Sequence, residues 1–152
     1  MPGRLLFVIT LLIFTGILAG CSSGSCDEPT ESMVNMTFRL TDAETNSSID
    51  SITVFGIGME EELIYDTVKT KQISLPLYPD ANSLQFVIRR GYRDDTLTIE
   101  YESEIRFISK ECGYAFFYQV INIYNSHNWI NNTIIINPDI SPGDEENIRT
   151  FF

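Results

Sequence analysis

From residue 33 onward the chain alternates between apolar and polar residues with a period of two, the pattern of half-buried β-strands. Met33 to Leu40 (MVNMTFRL) is the cleanest case: Val34, Met36, Phe38 and Leu40 share one face, and Asn35, Thr37 and Arg39 the other. Thr41 to Asp50 reads as a polar loop. Ser51 to Ile57 (SITVFGI) is apolar on both faces, as in a central strand, and Gly56 and Gly58 point to a bulge or bend. Glu60, Glu61 and Glu62 then open a loop or an edge hairpin. Leu63 to Val68 and Gln72 to Leu77 are short strands, and Pro76 places the second at a sheet edge or a strand end. Leu84 to Arg90 is a strand, and Gly91 to Asp95 a turn. Thr96 to Glu102 alternates again, with Leu97, Ile99 and Tyr101 inward, and Ile105 to Ser109 is a further short strand. Tyr114 to Tyr124 (YAFFYQVINIY) is the longest and most aromatic run, expected at the centre of a sheet. Asn132 to Asn137 follows, then an acidic loop from Asn137 to Asn147, and Ile148 to Phe152 forms a last strand.

No helical period extends beyond one turn, and no internal repeat is visible. About eight to ten short strands with turn signals between them predict an all-β chain, an antiparallel β-sandwich of immunoglobulin-like or transthyretin-like type.

The segment ahead of these strands has a different pattern. Arg4 is followed by a fourteen-residue, largely apolar region, Leu5 to Leu18 (LLFVITLLIFTGIL), and by the small residues Ala19 and Gly20. This is the layout of an export signal, and it falls short of the roughly 20 apolar residues that span a bilayer. Leu18-Ala19-Gly20-Cys21 matches the lipobox, where cleavage precedes a lipidated cysteine. The chain thus divides into a lipoprotein signal peptide (1–20), a lipidated cysteine with a flexible tether (21–32) and a β-sandwich domain (33–152). The expected location is the bacterial cell envelope, held to a membrane by acyl chains on Cys21. Ser22 in place of Asp is compatible with the outer membrane.

The part from Cys21 onward holds 152 − 20 = 132 residues, enough for one domain with its own core. Its nine Lys/Arg and twenty-one Asp/Glu give 9 − 21 = −12, the signal contributing only Arg4. Such a surface repels phosphate backbones and argues against nucleic-acid binding. Setting aside Cys21, two cysteines remain. In an exported chain Cys26 and Cys112 read as one disulfide, closing a loop of 112 − 26 + 1 = 87 residues.

Candidate chemistry is sparse. His127, in Asn125-Ser126-His127-Asn128-Trp129, has no second histidine and no nucleophile at a fixed spacing, which suits a loop residue better than a catalytic base. Trp129, with His127 and Tyr124 nearby, could stack on a sugar ring, although a tryptophan there more often caps a sandwich. Asp139, Asp144, Glu145 and Glu146 lack the EF-hand order, and whether the 139–146 loop takes Ca²⁺ stays open. Cys112 lacks a base and has Cys26 as a partner. No metal site, cofactor or catalytic residue is expected. Asp50-Ser51-Ile52, Asp66-Thr67-Val68 and Asp95-Thr96-Leu97 resemble the O-glycosylation signal of exported proteins in Bacteroides-type bacteria, with Ser51, Thr67 and Thr96 as acceptors. The same triplet is also a common way to enter a strand.

Taken whole, the chain from Cys26 onward resembles a family of small Bacteroidales-type lipoproteins that form a domain of unknown function. The resemblance rests on Cys26, on Asp95 to Tyr101 (DTLTIEY), on Phe107 to Tyr114 (FISKECGY), on His127 to Ile130 (HNWI), and on Glu145 to Arg149 (EENIR) ahead of Phe151 and Phe152. It implies a location and a fold class, and it transfers no active site. The expected function is a non-enzymatic, lipid-anchored structural or protein-interaction module, with an envelope protein complex as a candidate partner. The alternative is a glycan-binding accessory protein using Trp129 and neighbouring tyrosines.

Overall fold

The computed structural model describes residues 24–152; the signal segment and Cys21 lie outside the described residues. Among the described residues there is no α-helix. They form ten strands: β1 (Met33–Arg39), β2 (Ile49–Gly56), β3 (Leu63–Thr70), β4 (Gln72–Pro76), β5 (Ser83–Arg90), β6 (Arg93–Ser109), β7 (Gly113–Asn125), β8 (Asn132–Ile135), β9 (Asp139–Ile140) and β10 (Ile148–Phe151). One sheet has the order β4-β1-β10-β8 and the other β3-β2-β5-β6-β7-β9. They pack face to face as a β-sandwich.

The inward parity of the strands builds the core. Val34, Met36 and Phe38 of β1, Ile73 and Leu75 of β4, and Ile148 of β10 meet Ile52, Val54, Ile88, Leu97, Ile99 and Tyr101 of the facing sheet. Each fully buried Ile, Phe or Met contributes on the order of 1.5–3 kcal/mol, so this interface is the main source of stability. Leu40 continues the apolar parity of β1, yet it is exposed because the strand ends at Arg39. Pro76 closes β4, an edge strand, where its missing N–H leaves no ladder bond unmade.

Four features differ from the sequence pattern. First, β1 pairs in parallel with β10, Met36 opposite Ile148, so the sandwich is antiparallel only in part. A buried side chain, Asn147, joins these strands. It accepts from the Asn35 N–H through Oδ1 at 3.0 Å, donates its own N–H to the Asn35 carbonyl at 2.9 Å, and reaches the Asp139 carbonyl through Nδ2 at 3.2 Å. Second, the expected turn from Gly91 to Asp95 is confined to its first two residues, with Arg93, Asp94 and Asp95 already paired to β5. Third, Thr96–Glu102 and Ile105–Ser109 are one continuous strand of 17 residues, because Glu102, Ser103 and Glu104 stay paired to β7 while solvated. Fourth, β7 is neither the longest strand nor central; it lies between β6 and the two-residue edge strand β9.

A bulge in β7 between its pairings to Glu100 and Tyr101 leaves Ile121 without a partner. Beyond it, Val120 and Tyr118 face inward, and the β6–β7 hairpin runs on past the sandwich as a two-stranded arm.

Candidate functional site

Asp95 is the most tightly held charged group among the described residues. It occupies the inward parity of β6, one step before Leu97, Ile99 and Tyr101, and is fully buried. Four donors converge on its carboxylate: the Ser126 hydroxyl at 2.6 Å, and the backbone N–H groups of Asn128, Trp129 and Ile130, each at 2.8 Å. Burial alone would raise its pKa, but the bonds from Asn128, Ser126, Ile130 and Trp129 outweigh it and hold the carboxyl below its ordinary value. Every oxygen of Asp95 is committed to folding the 126–130 loop, so it has no lone pair directed at a ligand.

That loop sets the positions of His127, Trp129 and Tyr124. Trp129 is 5% exposed. Its Nε1–H donates to the Ile88 carbonyl at 3.1 Å, and its ring packs against Phe38, Phe152 and the Arg90 guanidinium. No ring face is left for a sugar in this conformation. Tyr124 is exposed opposite Thr98, at the outward parity of the same sheet. His127 is exposed, with Nδ1 3.2 Å from Asn125 Nδ2 and 3.3 Å from the Ile130 carbonyl. The structure therefore places Trp129 inside the sandwich and Tyr124 outside it, and does not bring the two together.

The other polar groups also serve the fold. Tyr101 and Tyr118 meet edge to face at 5.5 Å between centroids and hold the link after β4 from below. The Tyr101 hydroxyl donates to the Tyr78 carbonyl at 2.8 Å, and the Tyr118 hydroxyl to the Leu77 carbonyl at 3.2 Å. In the acidic loop, Glu146 pairs with Arg149 and accepts from the Thr37 hydroxyl, Glu145 accepts from Asn137, and Asp139 from Gln119. No cluster of metal-ligating side chains occurs among the described residues.

The three hydroxyl triplets separate. Ser51 and Thr67 are exposed and adopt left-handed backbone, φ 57° and 49°, where the β2–β3 ladder slips register. Thr53 accepts the Thr67 N–H at 3.2 Å, which steadies the irregularity. Thr96 is half-buried, and the acid of its triplet is the saturated Asp95.

At the other end of β6 the hairpin arm behaves differently. Cys26 and Cys112 are disulfide-bonded with Cα atoms 4.8 Å apart, which ties the start of the domain to the arm's tip. The chain then returns along the arm, and the Ser32 hydroxyl donates to the Phe116 carbonyl at 2.6 Å before β1 begins. On the arm, Ile105 lies opposite Phe116 and Phe107 opposite Tyr114. The last pair meets edge to face at 5.4 Å between centroids. Sequence reading missed this pairing, because the acids of 102–104 hid the continuity of β6. A separate apolar cleft of about 390 Å³ opens beside the β2–β3 turn, lined by Ile57, Met59, Ile64, Tyr78, Leu84 and Phe86 among others.

No curated protein and no solved structure matches the chain. A family model does match it, over residues 51–152, so β1 and the disulfide's Cys26 precede the matched region although β1 lies between β4 and β10. That span is about two thirds of the sequence, and the chain belongs to the family of unknown function DUF6452.

Proposed function

We propose that the protein is a lipid-anchored β-sandwich of the bacterial cell envelope, acting as a non-enzymatic structural or protein-interaction module. The observation that carries this reading is the disulfide at the arm. It fixes Cys26, five residues after the lipobox cysteine Cys21, to the tip of a hydrogen-bonded hairpin. Tension on the anchor is then delivered to the β6–β7 ladder rather than to β1 alone. A module role is further supported by where the best-positioned polar groups point. Tyr101, Tyr118 and Asn147 direct their hydrogen bonds at the chain's own backbone, and Asp95 at three backbone N–H groups and the Ser126 hydroxyl. Cys21→Ala tests the anchor: the variant is expected as an uncleaved or mislocalised precursor without labelled fatty acid. Normal processing and membrane fractionation of that variant would contradict the reading.

Surface modification fits the same location. Ser51 and Thr67 present exposed hydroxyls at irregular backbone, where an O-glycosylating enzyme could reach them in the folded protein. Thr96 is a poorer acceptor, because its neighbouring acid is committed to the 126–130 loop. Glycan binding through Trp129 would require its ring to leave the core, and the closed geometry counts against that alternative.

A further inference from the structure

The arm carries apolar side chains that the sandwich does not cover. Ile105 is 57% exposed, Phe107 57%, Tyr114 67% and Phe116 39%. Their register makes them one contiguous patch on the side of the hairpin that holds Tyr101 and Tyr118 nearer its base. Inside the sandwich that side is covered by the facing sheet and, at Tyr118, by the link after β4; beyond Tyr118 its side chains are exposed. A contiguous exposed apolar patch on a small domain marks a surface that meets something.

The chain outside the described residues says what that is. From Cys21 to Cys26 there are five Cα steps, at most about 18 Å when fully extended. The disulfide adds 4.8 Å between Cα atoms and delivers this reach to Cys112, two residues from Tyr114. Acyl chains on Cys21 would therefore keep Cys112 within about 23 Å of the anchored residue, a reach that lets the aromatic end of the arm touch the bilayer surface. Tyr114, with one apolar and one polar end, suits the headgroup layer, and the apolar side chains of Ile105, Phe107 and Phe116 gain by burial beside it.

We propose that the outer part of the β6–β7 arm lies on the bilayer surface, with Ile105, Phe107, Tyr114 and Phe116 seated at headgroup level. The proposal rests on the acylation of Cys21 proposed above. Charge specifies the lipid. The arm and the segment beside it carry Asp27, Glu28, Glu31, Glu102, Glu104 and Glu111, against Arg106 and Lys110. An acidic rim of this kind selects a zwitterionic headgroup over an anionic one. The arm then works as a second foot, fixing the domain's orientation, whereas an acyl tether alone would leave it free to swivel.

The test uses the full mature protein, isolated from membranes and reconstituted at high dilution in phosphatidylcholine vesicles that contain a shallow nitroxide-labelled lipid. Phe107→Trp places an indole in the patch. Tyr92→Trp places one in the turn at the opposite end of β6, where Tyr92 is fully exposed. The buried Trp129 is common to both. The expected result is about twofold nitroxide quenching at position 107, little at position 92, and the reverse order with aqueous iodide. Replacing half the lipid with phosphatidylglycerol should weaken the effect at position 107 at low salt. Equal quenching at both positions, or iodide access at position 107 in the vesicles, would overturn the docking. So would shielding of position 107 that grows with protein concentration, the mark of a second copy, or that occurs only in native membranes, the mark of a protein partner. Intact mass of the same preparation separates the two readings. An unacylated chain removes the anchoring reading and this proposal with it, and an acylated chain with an unquenched position 107 overturns the docking alone.

Discussion

The two ends of β6 solve opposite problems. At one end Asp95 is buried and saturated, and the 126–130 loop folds around it until Trp129, the residue best suited to stacking, is sealed against Phe38, Phe152 and Arg90. At the other end the same strand leaves the sandwich, exposes Phe107 and Ile105, and is fastened to the chain's start by a covalent bond. The first end contributes stability, with Asp95 and Trp129 turned to the chain's own groups. The second contributes little to the core and offers an apolar surface close to the expected anchor. In a small sandwich, the residues that look most chemical need not be the ones that meet the outside.

The largest expected effect separates the two kinds of fastening. Replacing Cys26 and Cys112 with Ser removes the closure of an 87-residue loop (112 − 26 + 1), worth up to roughly 4–5 kcal/mol in the chain-entropy model. Urea unfolding should show this loss in the midpoint. The arm should gain amide exchange while β2, β5 and the inner half of β6 keep their order of protection. Uniform loss of protection across both ends would break the distinction between them.

Asp95→Ala comes next. It strands the Ser126 hydroxyl and three backbone donors, at about 1–3 kcal/mol for each one left unsatisfied and less where water enters, so a total near 3 kcal/mol is expected. Its pH dependence has a definite sign. The folded carboxyl titrates below its ordinary value of 3.8, so its contribution is complete above that pH and is lost as pH falls through the lower, folded value. The stability gap between wild type and Asp95→Ala should therefore narrow on acidification below about pH 4, followed as urea midpoints. A gap constant with pH would show that the carboxylate's charge is not what holds the loop.

The smallest effect belongs to the arm. Tyr114→Ser or Phe107→Ser should change stability by no more than about 0.5 kcal/mol, since both residues are more than half exposed. A loss of 2 kcal/mol or more, a size that belongs to core positions, would mean that the patch is part of the core after all.

Much of the sandwich was legible in the alternation. The runs from Met33, Ser51, Leu63, Gln72, Leu84, Asn132 and Ile148 all fall on strands, and Pro76 sits at the end of an edge strand. The pairing of β1 with β10 was not legible, because its partners are separated by 112 positions and nothing local specifies a parallel neighbour. The continuity of β6 was hidden for a physical reason: Glu102, Ser103 and Glu104 are solvated and put no apolar residue on either face where the strand leaves the sandwich. Asp95 was misread as a turn acid, although a usable signal was present. It continues the inward parity of Leu97, Ile99 and Tyr101, and an acid at an inward position implies a cluster of donors waiting for it. Trp129 showed the converse, since a tryptophan in a loop with no period gives no sign of which way its ring points.

The anchor at the disulfide-bonded end is the claim on which the rest turns, and one intact mass spectrum addresses it. Protein extracted from its native membrane, with and without reduction, should begin at Cys21, carry the mass of its acyl chains, and gain two hydrogens when reduced. A chain that begins at Met1, or one of bare sequence mass with no acyl group, would contradict the account.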